Sequence, residues 1–293
     1  MNVLNLKNIL HKIYLELLIT DKVKRADLKV KWVRRHLDKY VSKALNNYKK
    51  DKTIEDKNPR IIWQYWHQGV ENAPDLIKAC FKSVKKYSSG YEQRILTYDT
   101  IKDYVEIPKK YYKLLEEKKI PLAIFSDILR LNLLEKYGGL WVDATMYFTD
   151  YLSEDIYNSD FFCYMVDPND SFTQTILKCY FIKSTSNNEF LKLLKSSIEN
   201  YWSENDFLIN YFMFEHIMTM LYEKSGQVKD IVDNMPSFPN SARYLLAAKL
   251  YDKFNIEEYN NIIKNNNIHK ISYKELRDKP TKDTYYEHIV SKN

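Results

Sequence analysis

Apolar residues in the first 48 positions recur at three- and four-residue steps: Leu6, Ile9, Leu10, Ile13 and Leu17, then Val33, Leu37, Tyr40, Val41, Ala44 and Leu45. This period predicts two amphipathic helices, separated by a break from Asp21 to Asp27. The second runs from about Ala26 to Tyr48, with Lys29, Arg34, Arg35, Lys39 and Lys43 among its apolar positions. The polar stretch 49–59 ends in proline and sets a boundary, with a basic helical segment over 1–58 and a main domain over 59–293. Beyond it the pattern changes. RIIWQYWHQG reads as a short apolar strand that stops at Gly69. A helix over Ala73–Tyr87 and a strand over Tyr91–Tyr98 follow. Strand–helix–strand order predicts an α/β sheet with parallel pairing.

Residues 108–119 and 120–137 read as helices, the second with Pro121 in its first turn and Gly138 just past its end. Leu140–Asp143, Met146–Thr149, Phe161–Val166 and Cys179–Lys183 read as strands. Asn187–Trp202 and Phe207–Glu223 read as helices. After Pro236 the pattern weakens, and NIIKNNNI over 261–268 reads as a loop.

Composition removes several function classes. Only 5 of 293 residues are glycine, and neither GxxxxGK[ST] nor GxGxxG occurs, which argues against the P-loop and dinucleotide fingerprints. Three cysteines, Cys80, Cys163 and Cys179, are an odd number without a CxxC spacing, so neither a disulfide framework nor a zinc cluster is expected. A reducing, cytoplasmic setting fits them. Charge is uneven. Residues 1–58 hold 15 Lys/Arg against 7 Asp/Glu, and the rest hold 30 against 32. The basic helices therefore either lay their apolar face on the main domain or rest on an anionic membrane surface. The acidic balance of the main domain speaks against a nucleic-acid partner. Lys7, His11, Lys12 and Glu16 interrupt the first apolar segment, so no spanning helix or signal peptide is expected there.

The densest chemistry lies in PLAIFSDILRLNLLEKYGGLWVDATMYFT, residues 121–149. Asp127 and Arg130 are three apart on a helix and share a face. A double glycine then turns the chain into a strand that ends at Asp143. Carboxylates accept hydrogen bonds from sugar hydroxyls, and an arginine fork clamps diphosphate oxygens. Strand ends in α/β sheets form the crevice where such ligands bind. The same spacing also suits a structural ion pair beside a tight turn.

IIWQYWHQG, SDILRLNLLEKYGGLWVDAT, NYFMFEH and HKISYK together resemble the capsular polysaccharide synthesis proteins, over roughly residues 59–275. These are similar to family 32 glycosyltransferases, of GT-A fold. The resemblance implies a nucleotide base near Trp63 and Gln64. It implies that Ser126, Asp127 and Arg130 hold the donor's sugar, ribose or phosphate. Asp143 matches the first acid of an Asp-x-Asp motif that faces ribose and metal. Thr145 stands where the second acid would be, which weakens the expected hold on Mn²⁺ or Mg²⁺. His269 is the further metal ligand the resemblance suggests, and Lys270 or Lys274 the cation for the diphosphate. Asp206 and Asn210 are four apart on a helix through NDFLINYFMFEH, residues 205–216; the resemblance implies that this helix approaches the acceptor, with Asn210 as a dipole under the reacting carbon. The implied reaction moves a hexose from a UDP-sugar to a hydroxyl of a lipid-linked bacterial glycan at the inner membrane face, with retained configuration. Asp127, Arg130 and Asn210 are then the catalytic set. The rival reading is a non-catalytic scaffold of a polysaccharide assembly complex.

Overall fold

The computed structural model describes residues 3–49, 57–166, 174–238, 241–273, 279 and 281–292. The elements run α1 (Val3–Leu18), α2 (Lys22–Asn47), β1 (Ile61–Tyr65), α3 (Asp75–Tyr87), β2 (Glu92–Leu96), α4 (Lys109–Glu116), α5 (Leu122–Tyr137), β3 (Gly139–Val142) and β4 (Met146–Phe148). Then follow α6 (Glu154–Asn158), β5 (Phe161–Met165), β6 (Leu177–Ser184), α7 (Glu189–Glu204), α8 (Met213–Lys224), α9 (Gly226–Asp233), α10 (Leu245–Lys249), α11 (Ile256–Asn265), β7 (Ile268–Lys270) and α12 (Tyr285–Lys292).

The fold is mixed α/β. The main sheet has the order β2-β1-β3-β6-β5. β1 pairs in parallel with β2 and with β3, as helical crossovers require. The expected parallel pairing is thus found among β2, β1 and β3, while β6 runs antiparallel to β3 and β5 antiparallel to β6. Both faces of the sheet are covered, and alternation divides them. Trp63 and Trp141 point into a core shared with α2, α5, α7 and α8. Ile62, Leu140 and Val142 point into the opposite core, against Val84 of α3 and Phe148 of β4.

The double glycine is sterically required. Gly138 has φ 71° and Gly139 φ 100°. A Cβ on Gly138 would lie 2.7 Å from the Ser186 backbone nitrogen, and one on Gly139 2.7 Å from the Ile61 carbonyl oxygen. Only glycine combines that backbone with so close an approach. This turn sends β3 back alongside α5 and brings Asp143 beside Arg130.

Several expected boundaries move. Asp21 caps α2 rather than opening a gap, because its carboxylate accepts from the backbone N–H groups of Val23 and Lys24. The Phe207–Glu223 helix begins only at Met213, so Asp206 and Asn210 share no helical face. The Asn-rich stretch read as a loop is the end of α11, capped by Asn255 at its start, and leads directly into β7.

The two N-terminal helices part company. Val33, Leu37, Tyr40 and Val41 of α2 lie in the same core as Trp63, so α2 lays its apolar face on the main domain. α1 buries Leu15 but exposes Leu6, Ile9, Leu10, Ile13, Leu17 and Leu18. Among the described residues no helix is long and apolar enough to cross a membrane.

Candidate functional site

The helix–turn–strand unit gathers four charges at the carboxyl end of β3. Arg130 is 2% exposed, and its guanidinium bridges two carboxylates. Nη1 donates to Asp127 Oδ1 at 2.7 Å, and Nη2 to Asp143 Oδ1 at 2.7 Å. The Trp141 indole N–H also donates to Asp143 Oδ1, at 2.8 Å. From β7, Lys270 Nζ donates to Asp143 Oδ2 at 2.8 Å and to Thr145 Oγ1 at 2.7 Å. The Arg130 guanidinium lies over the Trp141 ring, 4.9 Å from its centroid. Trp141 lies two residues before Asp143, which follows the end of β3, so period two puts both side chains on one face, a relation legible in the sequence.

The two carboxylates respond differently to burial. Burial raises the Asp127 carboxyl to about 7, against the pull of Arg130 and with the help of neighbouring Asp143. Burial also opposes charge on Asp143, but Lys270, Arg130 and the Trp141 N–H outweigh it and hold that group below the usual carboxylate range. Asp143 is thus a fixed anion, and Asp127 a group that changes charge near neutrality.

This cluster forms one wall of a cavity of about 810 Å³. Ser126, Asp127, Arg130, Asp143, Thr145 and Lys270 all line it, as do Tyr65, Trp66, His67 and Gln68. Tyr211, Phe214, Glu215 and Tyr273 lie on its other sides. A concave space with aromatic walls and few convergent charges suits a polar ligand with a planar base.

Four expected site residues lie elsewhere. Trp63 is fully buried, and its indole N–H donates to the Gly138 carbonyl at 2.9 Å, so it locks the glycine turn. Gln64 is buried too, and its side-chain oxygen accepts from Gln93 at 2.7 Å. The cavity starts one residue later, at Tyr65. Asn210 precedes α8 and caps the turn before it, accepting from the Phe212 backbone N–H at 2.7 Å. His269 points to the face of β7 opposite Lys270; its ring is buried, and Nε2 meets Thr149 Oγ1 at 3.2 Å. Burial lowers its pKa to about 4, with Arg243 adding to the effect. Lys274 lies outside the described residues. The sequence reading also gave Glu215 no role. It is buried in the cavity wall, and accepts from Lys178 at 3.0 Å and Thr175 at 2.7 Å.

The donor set does not fit a divalent cation. Both oxygens of Asp143 and the Thr145 hydroxyl already accept hydrogen bonds from cationic or N–H donors. His269 faces away, and among the described residues no group of three or more His, Cys, Asp or Glu side chains is placed to hold a metal.

Comparison with known proteins gives three findings. An uncharacterized glycosyltransferase of Acanthamoeba polyphaga mimivirus is 28% identical over 90 residues, which are 30% of this chain and 36% of that protein. The solved PaToxG glycosyltransferase superposes with a TM-score of 0.42 at 15% identity, over 82% of this chain and 94% of that one. The family profile of capsular polysaccharide synthesis proteins matches residues 15–289. That match takes in every element from the end of α1 to α12 and the whole charged cluster, and the chain belongs to the capsular polysaccharide synthesis protein family.

Proposed function

We propose that the cavity is the donor site of a GT-A-like glycosyltransferase that moves a hexose from a UDP-sugar to a hydroxyl of a glycan. The observation that carries this reading is Arg130, buried between Asp127 and Asp143 and joined by Lys270 in a single cavity wall. As the bond between the sugar's anomeric carbon and the diphosphate breaks, its electron pair goes to the diphosphate oxygen. Arg130 and Lys270 lie where fixed positive charge stabilises that oxygen. Asp127, when ionised, accepts hydrogen bonds from sugar hydroxyls and orients the ring. The rings of Tyr65, Trp66 and Tyr273 offer faces for the base. Front-side attack by the acceptor hydroxyl, whose proton passes to the departing diphosphate oxygen as the new glycosidic bond forms, would retain configuration, and it asks for charge stabilisation rather than a carboxylate nucleophile.

A panel of UDP- and GDP-sugars tests the reading by thermal shift and by release of the nucleoside diphosphate. A donor at 100 times its dissociation constant adds ~2.7 kcal/mol to stability. A shift without turnover would favour the scaffold reading, and no shift with any sugar nucleotide would end the donor-site reading.

The lipid-linked acceptor and its membrane rest on α1. Its exposed apolar side, with Leu17 75% and Leu18 66% exposed, is flanked by the exposed cations Lys7, Lys12, Lys22 and Lys24. Apolar side chains ringed by lysines match an anionic lipid surface, where each near-surface cation is worth about 1 kcal/mol. Replacing Leu10 and Leu17 with serine should reduce binding to phosphatidylglycerol vesicles and leave melting unchanged. Undiminished vesicle binding would remove α1 from the reading.

A further inference from the structure

We infer that Lys270 takes the place of the divalent cation in this site, so that the donor diphosphate is held by an ammonium and a guanidinium and by no metal. The inference rests on the donor-site reading above. Its geometry is specific. Lys270 Nζ sits between the first and third residues of the Asp143-Ala144-Thr145 triplet, 2.8 Å from Asp143 Oδ2 and 2.7 Å from Thr145 Oγ1. An ion shared by the outer residues of such a triplet would need those same two atoms.

The backbone keeps the lysine there. β7 pairs antiparallel with β4, with Met146 opposite Lys270, and the Ile271 N–H donates to the Thr145 carbonyl at 3.0 Å. The Tyr180 ring lies 5.0 Å from Nζ and limits where the ammonium can go. An ammonium has three N–H donors. Asp143 and Thr145 take two of them, and the third is the one a diphosphate oxygen would take. The side chain is 21% exposed, so a ligand in the cavity can reach it.

Charge explains why threonine and lysine occur together. Two carboxylates and a dication sum to zero, and so do one carboxylate, one hydroxyl and one ammonium. An acid at position 145 with Lys270 in place would leave an excess negative charge facing an anionic ligand. Thr145 removes that charge and still offers Lys270 an acceptor. A dication entering beside Lys270 would meet a like charge within a few ångströms, which opposes its binding.

The test has two arms. The first titrates UDP and GDP by calorimetry in EDTA and in Mn²⁺. Wild-type affinity should agree within about twofold between the two conditions. Lys270→Met should bind about tenfold or more weakly, as expected for loss of one charge-assisted hydrogen bond. Lys270→Arg, which keeps the charge, should recover part of that loss and controls for misfolding. The second arm needs no nucleotide. Mn²⁺ paramagnetic resonance should show no tight site in wild type and a new one in the double variant Thr145→Asp/Lys270→Ala. UDP binding that disappears in EDTA and returns with Mn²⁺, or a tight Mn²⁺ site in the wild-type protein, would overturn the inference and leave the donor reading standing. Equal UDP affinity in wild type and Lys270→Met would overturn it as well. No UDP or GDP binding in either condition would overturn the donor reading, and the inference with it.

Discussion

Two adjacent regions of the molecule share strands but answer to different forces: the charged wall of the cavity and the buried layer behind it. Consecutive residues of β7 show the contrast. Lys270 reaches Asp143 and the cavity, while His269 turns to the other side and is buried against Thr149. β1 shows it along its length. Trp63 and Gln64 are wholly buried, and the chain reaches the cavity only from Tyr65 onward. In the wall, each carboxylate has a cation beside it, and at least one of them, Asp143, has two. In the layer behind, the Trp63 N–H donates to the Gly138 carbonyl and Gln93 donates to Gln64, both neutral pairs. A residue's chemistry alone does not decide whether it serves ligand or fold. Its distance from the strand end and the side it faces decide that.

The largest effect should come from breaking the wall and the backing separately. Arg130→Met removes a buried guanidinium from between two carboxylates and leaves both short of a partner. Such a break costs about 3–5 kcal/mol in stability, and it should abolish measurable donor binding. Trp63→Phe keeps an aromatic ring but removes the indole N–H bonded to Gly138, together with the rest of the fused five-membered ring. Leaving one buried carbonyl unpaired costs about 1–3 kcal/mol, and UDP affinity should stay within about twofold of wild type. Melting curves and UDP calorimetry on both variants check the pair. If Trp63→Phe weakens UDP as much as Arg130→Met, the base lies against Trp63 and the division between wall and backing is wrong.

That division also marks what the sequence could and could not show. Asp127, Arg130 and Asp143 were legible because their relation is local. Two lie three apart on one helix, and the third follows a glycine turn whose backbone only glycine adopts easily. The family resemblance added Ser126, Thr145 and Lys270, and these line the cavity. Lys270 meets Asp143 from 127 residues away, a pairing that no periodicity encodes. The resemblance also put Trp63, Gln64 and His269 in the site. Trp63 and Gln64 lie short of the open end of β1, which only Tyr65 reaches, and alternation turns His269 to the side of β7 away from Lys270. Asn210 was misplaced because an apolar run from Phe207 to Phe212 mimics a helix, whereas the chain there is a turn that Asn210 itself caps. The parallel sheet was half legible. Helical crossovers impose parallel order on β1, β2 and β3, but nothing in the spacing of Phe161–Val166 and Cys179–Lys183 separates a return strand from a crossover.

A further effect separates wall from backing by titration. Asp127, in the wall, has its carboxyl raised to about 7 by burial. The folded protein therefore holds that proton more firmly than the unfolded chain does. The stability this proton contributes is complete below the unfolded value near 3.8 and is lost as pH rises through about 7. Donor binding should move the other way, because only the ionised carboxylate accepts from sugar hydroxyls. UDP-sugar affinity should rise with pH up to about 7 and then level off, changing by up to about tenfold per pH unit on the acid side. His269, behind the wall, is lowered to about 4 and stays neutral over this range. Its contribution is present above the unfolded value near 6.5 and is lost only as pH falls toward 4. Calorimetry of a UDP-sugar from about pH 5 to 8.5, on wild type, Asp127→Asn and His269→Asn, reads both groups. Asp127→Asn should flatten the affinity profile near pH 7, and His269→Asn should leave its midpoint in place. A profile that keeps its midpoint in Asp127→Asn would show that another group carries the titration and that Asp127 does not meet the sugar as a carboxylate.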